Sequence, residues 1–129
     1  MFKRKRVVVT GLGAMTPLGE SVDDYWENLV QGNSGIGPMT LADPTGFPCK
    51  IAGEVRGFDP QNYIDSKEAR RMARFTQLGV AAALRAAESA GLNESNIVLE
   101  ESGVVLGNGN GGMPTTEEQA RVLFERGGM

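Results

Sequence analysis

The sequence predicts an α/β fold, with a mostly parallel sheet covered by helices. Three observations carry that expectation. Short β-branched runs alternate along the chain with helical patterns. Two of these runs lead directly into glycine-rich loops, at 11–19 and 107–112. Between them, segment 66–91 holds the apolar period of a helix and carries start and stop signals at its ends.

Residues 6–10 (RVVVT) form an apolar run ended by Gly11, the composition of a strand buried on both faces. After the loop GLGAMTPLG, Ser21 is placed to cap a short helix whose first turn holds Asp23 and Asp24, where the helix dipole favours negative charge. Tyr25, Trp26, Leu29 and Val30 give that helix its apolar side, and Gly32 stops it. Segment 33–48 is rich in glycine and proline and reads as an ordered surface loop. Residues 50–55 (KIAGEV) read as a second strand, placed at an edge because Gly53 interrupts it.

In segment 66–91, Ala69, Met72, Ala73, Thr76, Gly79, Val80, Ala83, Ala87 and Ala90 recur at helical spacing. Asp65 with Glu68 forms a capping-box-like start, and Gly91 supplies the C-terminal stop. The run Val80, Ala81, Ala82, Ala83, Leu84 predicts a middle buried on more than one side. A polar connection over 92–101 then leads to a third strand at 102–106 (SGVVL), which enters GNGNGGMP. Thr115 with Glu118 suggests a second capping box, opening a helix through about Phe124. Three short strands cannot cover both faces of a parallel sheet, so the chain is expected to be part of a larger domain.

A net charge of -3 argues against a general nucleic-acid binder. With no histidine, these 129 residues cannot assemble a Ser-His-Asp or Cys-His catalytic group. The single cysteine, Cys49, rules out a disulfide within the chain and any cysteine-based metal site. No apolar run approaches the roughly 20 residues of a membrane span. The opening MFKRKRVVVTGLGAM superficially mimics a secretory leader. Thr10, Gly11 and Gly13 break its apolar part, so a basic tail feeding a buried strand is the better reading, with a cytoplasmic location.

Neither glycine loop fits a nucleotide fingerprint. A dinucleotide motif would need glycine at Thr16, and no lysine follows Gly19 as a phosphate-binding loop requires. The second loop is more informative, because four glycines in six residues beyond a strand allow close backbone approach to a ligand, with Asn108 and Asn110 as amide partners. A plain strand-to-helix turn is the alternative. Cys49 has no histidine beside it to lower its pKa and reads as an inert thiol. Lys67, Arg70, Arg71 and Arg74 fall at i, i+3, i+4 and i+7 and would line one basic stripe on a continuous helix. Such a stripe is either a solvated face or a docking patch for an acidic partner.

The segments RVVVTGLGAMTPLG, YWENLVQGNSGI, KIAGEV, SKEARRMARFTQLG and VVLGNGNGG, in this order, resemble the β-ketoacyl-acyl carrier protein synthases, and synthase II among them. The resemblance implies that 1–129 is the N-terminal part of a β-ketoacyl synthase domain, truncated before the region that bears the nucleophile. It implies a thiolase-like αβαβα fold, a homodimer for the full-length parent, and no cofactor or metal. The reaction would be a decarboxylative Claisen condensation of malonyl-carrier protein with an acyl group held on a cysteine. The catalytic cysteine and two histidines would lie outside this segment, which alone would be inactive. Lys67, Arg70 and Arg71 fall on the residues that dock acyl carrier protein. Gly109, Asn110 and Gly111 fall on the turn that lines the acyl pocket, where Asn110 departs from an apolar residue common in synthase II. A polyketide-type ketosynthase and a non-catalytic carrier-binding module are the alternative readings.

Overall fold

A computed structural model describes residues 5–127. The elements in order are α1 (Val22–Val30), β1 (Ile36–Pro38), β2 (Ile51–Gly53), a 3-10 turn (Pro60–Asn62), α2 (Ser66–Ala69), α3 (Arg74–Ser89), a second 3-10 turn (Leu99–Glu101) and α4 (Met113–Arg126). They divide into two compact units. One is formed by the residues up to Phe58 with Ala82–Ile97, and the other by Asp59–Ala81 with the residues from Val98 onward. The two halves of α3 thus belong to different units.

In the first unit, local signals decide α1. The Ser21 hydroxyl accepts the Asp24 N–H at 3.0 Å, and Asp23 and Asp24 occupy the first turn. At the other end Gly32, at φ 74°, donates to the Leu29 carbonyl, and Asn33 donates to that of Asn28, completing a Schellman motif. Asn28 also donates from its side-chain amide to the Leu18 carbonyl at 2.9 Å, tying α1 to the preceding loop. The same Schellman pair closes α3, where Gly91 bonds to Glu88 and Leu92 to Ala87.

The sheet differs from expectation. It is a two-stranded antiparallel pair, β1 with β2, in which Gly37 opposes Ala52. β1 lies inside the segment read from sequence as a loop. The runs 6–10 and 102–106, expected as strands of a mostly parallel sheet, form no ladder, and Val104 is 94% exposed. Their β-branched residues express a preference for extended backbone, but a strand needs a neighbour's N–H and C=O groups, and the described residues supply none there. Among the described residues the one ladder is this antiparallel pair, so the expected mostly parallel sheet is not seen there.

The loop containing Gly11 and Gly13 packs on the second half of α3. A methyl placed on Gly11 would lie 2.4 Å from the Ala86 carbonyl oxygen, and one on Gly13 would lie 2.0 Å from that of Ala82. Glycine there permits a backbone approach that any side chain would block.

In the second unit, Asp59 caps the first 3-10 turn and Asp65 caps α2, each accepting a backbone N–H two residues on. The continuous helix predicted over 66–91 is in fact two helices. α2 lasts four residues and closes at Arg70, and α3 begins at Arg74. Arg71 and Met72 donate to Glu68 and Ala69 in tight i to i−3 bonds, and Thr76 donates to Ala73. The side-chain amide of Gln77 donates as well to the carbonyls of Ala69 and Met72, at 2.8 and 3.3 Å. Burial is also narrower than predicted: Leu84, in the part of α3 that belongs to the first unit, is 47% exposed, whereas Ala81, in the second, is completely buried. Ile64 and Ala69 join Ala81 in this unit's small core.

The last helix begins before its expected cap. Gly112, at φ 84°, is the N-cap of α4, and Pro114 sits in the first turn, where its missing N–H costs nothing. Thr115 is therefore inside the helix, and Glu118 pairs with Arg121 rather than closing a capping box.

Candidate docking and ligand site

The sequence-selected residues all belong to the second unit. Lys67 sits in α2 with its backbone N–H held by the Asp65 carboxylate at 2.8 Å. Arg70 is the C-cap of α2, and Arg71 lies in the link between α2 and α3. All three side chains are exposed, and no carboxylate pairs with them among the described residues. The single helical face expected for Lys67, Arg70, Arg71 and Arg74 does not form, because the helix breaks between Arg70 and Arg74. What results is a basic turn: exposed cations displayed on a tight bend rather than a stripe.

Gln77 holds that bend from behind. Its amide reaches back from α3 to the carbonyls at the end of α2, so the conformation of Arg70 and Arg71 is fixed by a residue with no charge. Sequence reading passed over Gln77, although a long amide inside a run of small and apolar residues was the available signal.

The glycine-rich turn lies in the same unit. Gly109 faces open space, and Asn110 is exposed. Gly111 is different: a methyl there would lie 2.7 Å from Asn108 Oδ1 and 2.8 Å from Cδ2 of Phe75. At Gly112 a methyl would lie 3.0 Å from Cε1 of the same ring. The turn therefore rests on Phe75, the second residue of α3, directly after Arg74. Through Phe75 the structure brings the glycine turn to the helix start that follows the basic turn. The sequence reading did not single out Phe75.

A strongly perturbed ionisable group lies elsewhere. Glu54, after β2, accepts the N–H groups of Thr40 and Leu41 and the Thr40 hydroxyl, and it pairs with Arg56 at 3.2 Å. The Leu41 N–H first, then the Thr40 donors, lower its pKa from 4.5 to about 2. Arg56 in turn donates to the Pro38 carbonyl at 2.6 Å, so the cluster fastens the loop between β1 and β2. Cys49, on that loop, is exposed, and its thiol donates to the Ile51 carbonyl at 3.4 Å with no base beside it. An open groove of about 440 Å³ in the first unit, lined by Val9, Thr10, Leu12, Val22 and Ser89 among others, offers little chemistry. Among the described residues no group of His, Cys, Asp and Glu could hold a metal ion, and no helix is long and apolar enough to cross a membrane.

Residues 4–128 match the family described as the N-terminal domain of beta-ketoacyl synthases. The chain belongs to this family. It is 43% identical over 126 residues to 3-oxoacyl-[acyl-carrier-protein] synthase 2 of Synechocystis sp., covering 98% of this chain and 30% of that protein. It is 41% identical over 127 residues to the protein of the same name from Staphylococcus aureus, covering 98% and 31%. The chain thus spans about 30% of the length of these relatives. Solved structures of similar fold include two from ketosynthase systems. The ishigamide ketosynthase/chain length factor aligns at a TM-score of 0.69 and 39% identity, over 74% of this chain and 24% of that one. A ketosynthase in complex with its type II polyketide acyl-carrier protein, and bound to the hexaketide, aligns at 0.73 and 28% identity, over 96% and 32%. The ketosynthase fold is thereby the one that this chain shares.

Proposed function

We propose that residues 1–129 form the N-terminal part of a 3-oxoacyl-acyl carrier protein synthase II that elongates acyl chains in fatty-acid synthesis. In this reading an acyl group passes from a carrier thioester to an enzyme cysteine. Malonyl-carrier protein then loses carbon dioxide, and its carbanion attacks the acyl thioester to give a 3-oxoacyl-carrier protein. The observation that carries the reading is the 41–43% identity to synthase 2 proteins along nearly the whole chain. These residues supply no histidine, and Cys49 stands without a base, so their role is recognition rather than bond-making. The reading brings with it the thiolase-like αβαβα sandwich, a homodimer and a cytoplasmic location for the full-length enzyme.

Lys67, Arg70 and Arg71 are the proposed docking residues for acyl carrier protein. Their exposure and lack of carboxylate partners support this, since unneutralised cations on a rigid bend steer an acidic partner. Gly109, Asn110 and Gly111 are the proposed acyl-side turn. The full-length protein, given acyl- and malonyl-carrier protein, should release carbon dioxide and form the 3-oxoacyl product. Carrier binding without product would favour a non-catalytic module instead.

A polyketide-type ketosynthase is the second reading. Of the similar structures described above, one is a ketosynthase/chain length factor and the other a ketosynthase bound to a hexaketide, and Asn110 puts an amide where synthase II commonly has an apolar residue. Preference for polyketone-bearing over saturated acyl groups would select it.

A further inference from the structure

We infer that Phe75 is a positioning residue that couples the basic turn to the glycine-rich turn. The substrate meaning of that coupling rests on the proposed carrier-docking role of Lys67, Arg70 and Arg71.

Gly111 and Gly112 both lie against Phe75, and no side chain larger than hydrogen fits at Gly111 without displacing the ring or Asn108. Gly112 is also the left-handed residue from which α4 starts. The position of the ring therefore sets where the glycine turn ends and α4 begins. Phe75 is 39% exposed, so it is not a core residue whose contacts are spread on all sides.

Phe75 belongs to the first turn of α3, and Gln77, in that same turn, grips the carbonyls of Ala69 and Met72. The bend bearing Arg70 and Arg71 is thus fastened to the helical turn that carries the ring. A partner that pulls on or stiffens the basic turn acts on Phe75, and Phe75 acts on Gly111 and Gly112. Two sites joined through one rigid turn influence each other reciprocally, so order imposed at either is felt at the other.

Hydrogen–deuterium exchange of the full-length protein, with and without acyl carrier protein, tests this. In the unmodified protein, carrier binding should slow exchange over 107–113. Phe75→Ala should quicken exchange there in the free protein and abolish the response to carrier. It should weaken carrier binding by no more than about fivefold, the low end of coupling between sites. Phe75→Leu should restore most of the response, and Gly111→Ala, which crowds the ring from the other side, should disturb it as Phe75→Ala does. A response over 107–113 that survives in Phe75→Ala would overturn the inference, as would carrier binding that leaves 107–113 unchanged in the unmodified protein. Absence of carrier binding altogether would instead reject the docking role. Exchange over 107–113 in free Phe75→Ala would then decide whether the ring supports the turn, and unchanged exchange would overturn that too.

Discussion

The side-chain amide of Gln77 donates across 2.8 Å to the carbonyl of Ala69, eight residues earlier, joining α3 to α2. This bond, with its companion to Met72, is why the basic residues sit on a bend. Replacing Gln77 with leucine keeps the bulk but removes the side-chain donor to the Met72 carbonyl and the second of the two donors to the Ala69 carbonyl. We expect a loss of about 1–2 kcal/mol of stability, read by chemical denaturation of the full-length protein. Carrier affinity should fall while its salt dependence stays the same, because no charge is removed.

Two glycines make a contrasting pair. Gly13→Ala would force a methyl to within 2.0 Å of the Ala82 carbonyl oxygen and should cost about 3 kcal/mol or more. Gly79, inside α3, has open space around the added methyl, so Gly79→Ala should stabilise by about 0.5–1 kcal/mol through helix propensity. Melting temperatures of the two variants should move in opposite directions.

Glu54 makes stability depend on acid. Its folded pKa is about 2, below the ordinary value of 4.5, so the charged form is favoured in the folded state. Its contribution is complete above the unfolded pKa and is lost as the pH falls from about 4.5 towards 2. Glu54→Gln should lower the melting temperature at neutral pH, and the gap from the unmodified protein should close across that window. A gap that stays constant down to pH 2 would remove Glu54 as the acid-sensitive group.

Asn110 bears on acyl selectivity. If the glycine turn lines an apolar pocket in the full-length enzyme, an amide there disfavours long saturated chains unless it is hydrogen-bonded. Asn110→Ile should then raise kcat/KM for long over short saturated chains by about tenfold, or about 1.4 kcal/mol. Competition between acyl-carrier proteins of two lengths measures it, and an unchanged ratio would retire the residue from selectivity.

What the sequence revealed was set by neighbours in the chain. Ser21 with Asp23 and Asp24, Gly32, Asp65 and Gly91 all act as the caps or stops that their types indicate, because capping is decided within a few residues. The break at 70–73 was invisible, since helical periodicity continues through it and only the Gln77 side chain shows why the backbone turns. Pairing was equally hidden. β1 formed at Ile36–Pro38, within a glycine- and proline-rich segment, whereas the valine-rich runs pair with no strand among the described residues. Of the site, the exposed cations were legible from type and spacing. Their common helical face was not a correct inference, and the Phe75 support of Gly111 required coordinates in space.

Docking of acyl carrier protein is read most directly by titrating it into the full-length protein at roughly 20 mM and roughly 500 mM salt, spanning long and short screening lengths. Docking on Lys67, Arg70 and Arg71 predicts binding that is strong at low salt, weakens at high salt, and drops at least about tenfold at low salt in Arg70→Glu and Arg71→Glu. Binding that ignores salt, or that both charge reversals leave intact, would contradict it.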